Sequence, residues 1–73
     1  MRGIGLITQT EAQILALLAQ HHTYVFISKS LHISMPTLYR HIANIMNKTG
    51  IHKKELLIKY AIERGYGRQE ALA

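Results

Sequence analysis

Arg40 is the residue of this chain best equipped for a specific chemical task, because its planar guanidinium presents a rigid fork of donors to two acceptors held side by side. Tyr39 precedes it, and Met35 and Ala43 lie within about a turn and a half on either side. Leu38, Ile42, Ile45 and Met46 recur at helical spacing as an inward stripe, which is expected to leave Met35, Tyr39, Arg40 and Ala43 together on the opposite face. Such a face suits the edges of stacked base pairs. The arginine fork fits guanine O6 and N7, a contact worth ~1–3 kcal/mol of discrimination. Met35 or Ala43 could meet a thymine methyl, and Tyr39 a base edge or a phosphate. Used as a phosphate clamp instead, Arg40 would add affinity without sequence choice.

A second group of residues offers hydroxyls and ammonium groups. Thr23 and Tyr24 open one helix, and Ser34 and Thr37 open the next, where free amides add to the pull on an anion. Lys48, Lys53 and Lys54 cluster at or beyond the far end of the Arg40 helix. All seven are candidate phosphate contacts. The remaining chemistry is sparse. His21, His22, His32, His41 and His52 lack ligand spacing on any one helix and no cysteine joins them, so no metal is expected. The carboxylates sit towards the chain ends, away from any serine paired with an orienting dyad, so neither a catalytic residue nor a cofactor is expected.

Four helices, and no strand, account for the pattern. Thr8 and Glu11 stand in capping-box spacing before a buried stripe of Ile14, Leu15, Leu17 and Leu18. His21-His22-Thr23 ends this helix, with Thr23 capping a second from about Tyr24 to Leu31 that points Ile27 and Leu31 inward. Val25 and Phe26 cannot both be buried beside Ile27, so at least one is expected outside. His32-Ile33 makes a turn, Ser34 caps a third helix reaching about Lys48, and Pro36 is tolerated in its first turn. Gly50 stops it. A fourth helix spans about 53–64, ahead of Gly65, with Leu56, Leu57, Tyr60 and Ala61 as its inward stripe and Ile58 and Ile62 exposed four residues apart. Those isoleucines suggest a self-complementary contact. The expected architecture is an all-α four-helix bundle without a wing, a single domain over 1–73. Its residues 23–42 form a helix-turn-helix, a motif whose second helix can enter the DNA major groove.

Bulk properties agree. A chain of 73 residues with no cysteine must rely on its aliphatic content or on a second copy for stability. The net charge is +5, and no acidic residue lies between Glu11 and Glu55, where Lys29, Arg40, Lys48, Lys53 and Lys54 all fall. A basic centre flanked by acidic ends suits a polyanion. No apolar run approaches the ~20 residues of a membrane span and no leader pattern is seen, so a cytoplasmic protein without membrane association is expected. Residues 1–5 read as a flexible arm or as an artificial start.

The chain resembles the LuxR/GerE-type family of bacterial DNA-binding domains, without gaps from about Ile7 to Ala61. The family's Leu-Thr-x-x-Glu opening is here Ile7-Thr8-Gln9-Thr10-Glu11, and its Leu-Leu-Ala pattern is Leu17-Leu18-Ala19. Its signature Ile-Ser-x-x-Thr-Val-x-x-His-x-x-Asn-Ile is matched by Ile33-Ser34, Thr37-Leu38, His41 and Asn44-Ile45, and its Lys-Leu-Gly-Val by Lys48-Thr49-Gly50-Ile51. Three departures stand out. His21 and His32 occupy turn positions where the family usually or often has Gly, and where positive φ is cheap only for Gly. Tyr24-Val25-Phe26-Ile27-Ser28 replaces a polar second helix. Lys54 stands where the family often has Arg, keeping the charge and losing the fork. The resemblance implies a transcriptional regulator that reads duplex DNA with Tyr39, Arg40 and Ala43 and dimerises through helix four. Its target would then be an inverted repeat with half-sites about one helical turn apart. The apolar second helix is a candidate contact surface for RNA polymerase or for another domain. Two rival uses of the fold remain open: a protein-interaction module, and a sigma-like module acting only within polymerase.

Overall fold

The computed structural model describes residues 6–67, which form four α-helices and no strand: α1 (Gln9–Ala19), α2 (Tyr24–Leu31), α3 (Met35–Thr49) and α4 (Lys54–Glu63). The expected arm at residues 1–5 lies outside the described residues. Side chains set three of the four helix starts. The Thr8 hydroxyl accepts from the Glu11 amide at 3.1 Å while the Glu11 carboxylate accepts from the Thr8 amide at 3.0 Å, the reciprocal box that the spacing predicts. Thr23 and Ser34 likewise accept from the amides of Phe26 and Thr37, at 3.1 and 3.2 Å. Lys53, at the start of α4, makes no such bond.

The first two helices end alike. His21 and His32 take left-handed backbone, with φ of 66° and 58°. The amide after each reaches back to close the helix, His22 to the Leu17 carbonyl at 3.1 Å and Ile33 to the Ser28 carbonyl at 3.0 Å. This reversal suits glycine, and the sequence supplies histidine at both places. Gly50, with φ of 75°, ends α3 at lower cost.

α1 lies against α4 and α3, and α2 packs on α3. Ile14, Leu15 and Leu18 from α1, Ile27 from α2, Leu38, Ile42 and Ile45 from α3, and Leu57 and Ala61 from α4 form the buried core. Burying each of the larger side chains contributes ~1.5–3 kcal/mol. Leu17, Leu31 and Met46 pack around them half-buried. No helix among the described residues is long and apolar enough to cross a membrane.

Four expectations need correction. Leu56 is 52% exposed, because Leu57 and Ala61 take the inward line of α4 and Leu56 sits a hundred degrees from Leu57. Ile58 is half-buried against the core, leaving Ile62 as the exposed member of that pair. Met35 is also half-buried against the core; it precedes Ile42 by seven residues, two turns, and so shares the inward side of α3. Lys48 is engaged within the chain. Its Nζ lies 2.7 Å from Oε1 of Glu11, a buried carboxylate, and donates to the Leu6 carbonyl at 3.0 Å. The pair ties the start of α1 to the last turn of α3. Burial alone would raise the Glu11 pKa; the Lys48 hydrogen bond, the Thr8 amide and the Lys48 charge outweigh it and hold the carboxyl below its ordinary value.

Candidate nucleic-acid interface

With Leu38, Ile42 and Ile45 buried, α3 turns a continuous stripe outward: Pro36, Tyr39, Arg40, Ala43, Asn44 and Asn47 are all exposed. Tyr39, Arg40 and Ala43 therefore share one face, and Met35 does not. Asn44 and Asn47 join them beyond Ala43. The sequence reading had not placed these two on that face, although their spacing of four and seven residues from Arg40 carries the signal. Carboxamides in such positions have the chemistry to pair with adenine N6 and N7.

The helix starts frame this face. The Thr23 hydroxyl is exposed, and having accepted from the Phe26 amide it retains a proton to donate. Ser34 donates its own proton to the Thr37 hydroxyl at 3.0 Å, which leaves Thr37 as the outward donor of that pair. Lys53 and Lys54 are exposed at the start of α4. Lys48, in its ion pair with Glu11, stands apart from them.

Tyr24 connects three helices. Its ring meets that of Tyr39 edge to face, with centroids 5.8 Å apart and planes at 76°. The Lys54 ammonium lies over the Tyr24 ring, 4.3 Å from its centroid. Burial, and then the neighbouring Tyr39, push the Tyr24 phenol above its ordinary value, so it stays a neutral donor at physiological pH. Elsewhere on α2, Val25 and Phe26 are 52% and 45% exposed, and Phe26 stacks on His22 with centroids 4.0 Å apart.

Comparisons with curated proteins and with solved structures each gave no match. Residues 6–61 match the family described as bacterial regulatory proteins, luxR family. That span takes in all four helices apart from the last residues of α4, and with it Tyr24, Tyr39, Arg40 and Lys54. The chain therefore belongs to the luxR family of bacterial regulatory proteins, whose helix-turn-helix domain binds DNA.

Proposed function

We propose that this domain is a sequence-specific transcriptional regulator that reads the major groove of duplex DNA with α3. The observation that carries the reading is the outward stripe of α3, with exposed Arg40 at its centre and its other side fixed by buried Leu38, Ile42 and Ile45. A helix held so firmly can present a donor fork to base edges without first having to order itself. Arg40 and Tyr39 are the base readers, Ala43 the apolar contact for a thymine methyl, and Asn44 and Asn47 extend the face. Thr23, Tyr24, Thr37, Lys53 and Lys54 supply phosphate contacts that set register, with the Ser34 hydroxyl engaged in holding Thr37. The protein acts in the cytoplasm as a homodimer on an inverted repeat, with exposed Ile62 at the contact between two copies of α4 and half-buried Ile58 at its margin.

Selection of bound sequences from a random duplex library at near-physiological salt tests this. An inverted repeat should be enriched. Arg40→Ala should lose preference at one position of each half-site, by about 5- to 150-fold for ~1–3 kcal/mol. Lys53→Gln and Lys54→Gln should each lower the salt slope by about one, and Lys53→Gln should weaken all sequences alike. Absence of any enriched sequence would overturn the proposal.

A second reading is favoured by the exposure of both Val25 and Phe26 on α2. In it the domain binds a protein partner, RNA polymerase among them, through that apolar edge. Val25→Ser with Phe26→Ser should then abolish partner binding and leave DNA selection intact.

A further inference from the structure

Tyr39 is 51% exposed on the outward face of α3. An exposed tyrosine on a helix samples more than one χ1 well unless something holds it, and a base reader that must order itself on binding loses both affinity and discrimination. In this chain something does hold it. The ring of Tyr24, at the first position of α2, meets Tyr39 edge to face at 5.8 Å. Tyr24 is itself held from the other side of the motif, because the Lys54 ammonium of α4 lies over its ring at 4.3 Å. Tyr24 is half-buried and packs against the core, so it is the fixed member of the pair and Tyr39 the guided one.

We propose that Tyr24 is a positioning residue for sequence choice, its ring fixing the rotamer in which Tyr39 meets the DNA. This rests on the base-reading role of Tyr39 proposed above and adds a second, separable role to a residue whose hydroxyl contacts phosphate. The two roles lie on different atoms. The hydroxyl contributes affinity for any sequence, whereas the ring edge contributes preference at the base pair that Tyr39 touches. Lys54 braces the arrangement from α4, so the start of that helix bears on what α3 reads.

The test compares wild type with Tyr24→Phe, Tyr24→Leu and Tyr39→Ala in selection from a random duplex library, each variant being checked for folding by thermal melting. Tyr39→Ala locates the base pair that Tyr39 reads. Tyr24→Phe keeps the ring and loses the hydroxyl, so it should bind all sequences more weakly with the wild-type preference intact. Tyr24→Leu should flatten preference at the Tyr39 base pair by about 2- to 10-fold, the range an edge-to-face pair supports, and leave the Arg40 position unchanged. Added to Tyr39→Ala, it should flatten nothing further. If Tyr24→Leu lowers affinity uniformly and keeps the preference, the inference is overturned and the DNA-reading proposal stands. A wild type that enriches no sequence overturns both. Should Tyr24→Leu fail to fold, nuclear Overhauser contacts between the two rings and a single χ1 for Tyr39 in the free wild type are the required result. Their absence would sink the inference.

Discussion

α3 and α4 each bury one face in the same core, yet only one of them could be oriented closely from its sequence. In α3 the apolar positions Leu38, Ile42 and Ile45 alternate with polar ones at helical spacing, and the buried set coincides with that stripe. In α4, Leu56, Leu57, Ile58, Tyr60, Ala61 and Ile62 make an almost unbroken apolar run, compatible with several rotations about the helix axis. The fold selects the rotation that buries Leu57 and Ala61, and so leaves Leu56 and Ile62 52% and 46% exposed. Segregation of polar from apolar residues specifies orientation; apolar content alone specifies only that a helix is held.

The sharpest way to break this comparison is to truncate leucines. Leu38→Ala and Leu57→Ala should each cost about 2–5 kcal/mol, comparable to the whole stability of so small a domain. Leu56→Ala, next to Leu57, should change stability by less than about 0.5 kcal/mol. Denaturant titration measures all three. Equal losses from Leu56→Ala and Leu57→Ala would mean that α4 is rotated by about fifty degrees from the orientation described here, so that the two leucines share the inward direction.

The next effect tests how the two ends of the motif differ in their use of lysine. Lys48→Met leaves the Glu11 carboxylate buried without its cation and should cost about 3 kcal/mol, the low end for a buried pair because Lys48 keeps some contact with water. It should leave the salt slope of DNA binding unchanged, in contrast to Lys53→Gln and Lys54→Gln. The pH dependence follows from the same pair. The folded pKa of Glu11 lies below its unfolded value, so its contribution is fully present above the ordinary carboxylate value of 4.5. It is lost as pH falls from there through the folded value. Stability should therefore decline with acid in wild type, and Glu11→Gln should flatten that decline. A decline of equal steepness in Glu11→Gln would place its origin in another carboxylate.

A smaller difference separates the two isoleucines of α4. Ile58→Ala, at a half-buried position, should cost about 1–2 kcal/mol, below the range for a fully buried site. Ile62→Glu should change monomer stability by less than about 0.5 kcal/mol and abolish self-association in sedimentation equilibrium. Self-association that survives Ile62→Glu would remove α4 from the dimer contact.

The limits of the sequence are visible in particular residues. The four helices were legible because their starts and stops are local: Thr8 with Glu11, Thr23, Ser34, Pro36 and Gly50 act within a turn of themselves. The outward face of Tyr39, Arg40 and Ala43 was legible for the same reason. Met35 is grouped with the outward residues because it lies four positions before Tyr39, whereas its two-turn spacing from Ile42 brings it closer to the inward line. Lys48 was unreadable for a different reason. Its partner Glu11 is 37 residues away and already accounted for as half of a capping box, so nothing local marked a second role. The Tyr24–Tyr39–Lys54 contact, drawn from three helices, is likewise a product of packing.

The smallest expected effect returns to the two histidine-closed turns, where sequence and structure agree on the backbone. A residue with a Cβ in left-handed backbone costs ~1–2 kcal/mol, and glycine there loses roughly 0.5–1 kcal/mol of extra chain entropy on folding. His32→Gly should therefore stabilise by about 0.5–1 kcal/mol and raise Tm by about 2–8 °C in a domain of this size. His21→Gly should do the same, since its φ of 66° is close to the 58° of His32. The control is His32→Ala, which keeps the Cβ in the left-handed region and should give no gain. Equal gains from the two glycine variants, with none from alanine, would assign the cost to backbone alone. A smaller gain at His32 would mean that its imidazole contributes to the α2–α3 turn, and hence to how α3 is presented.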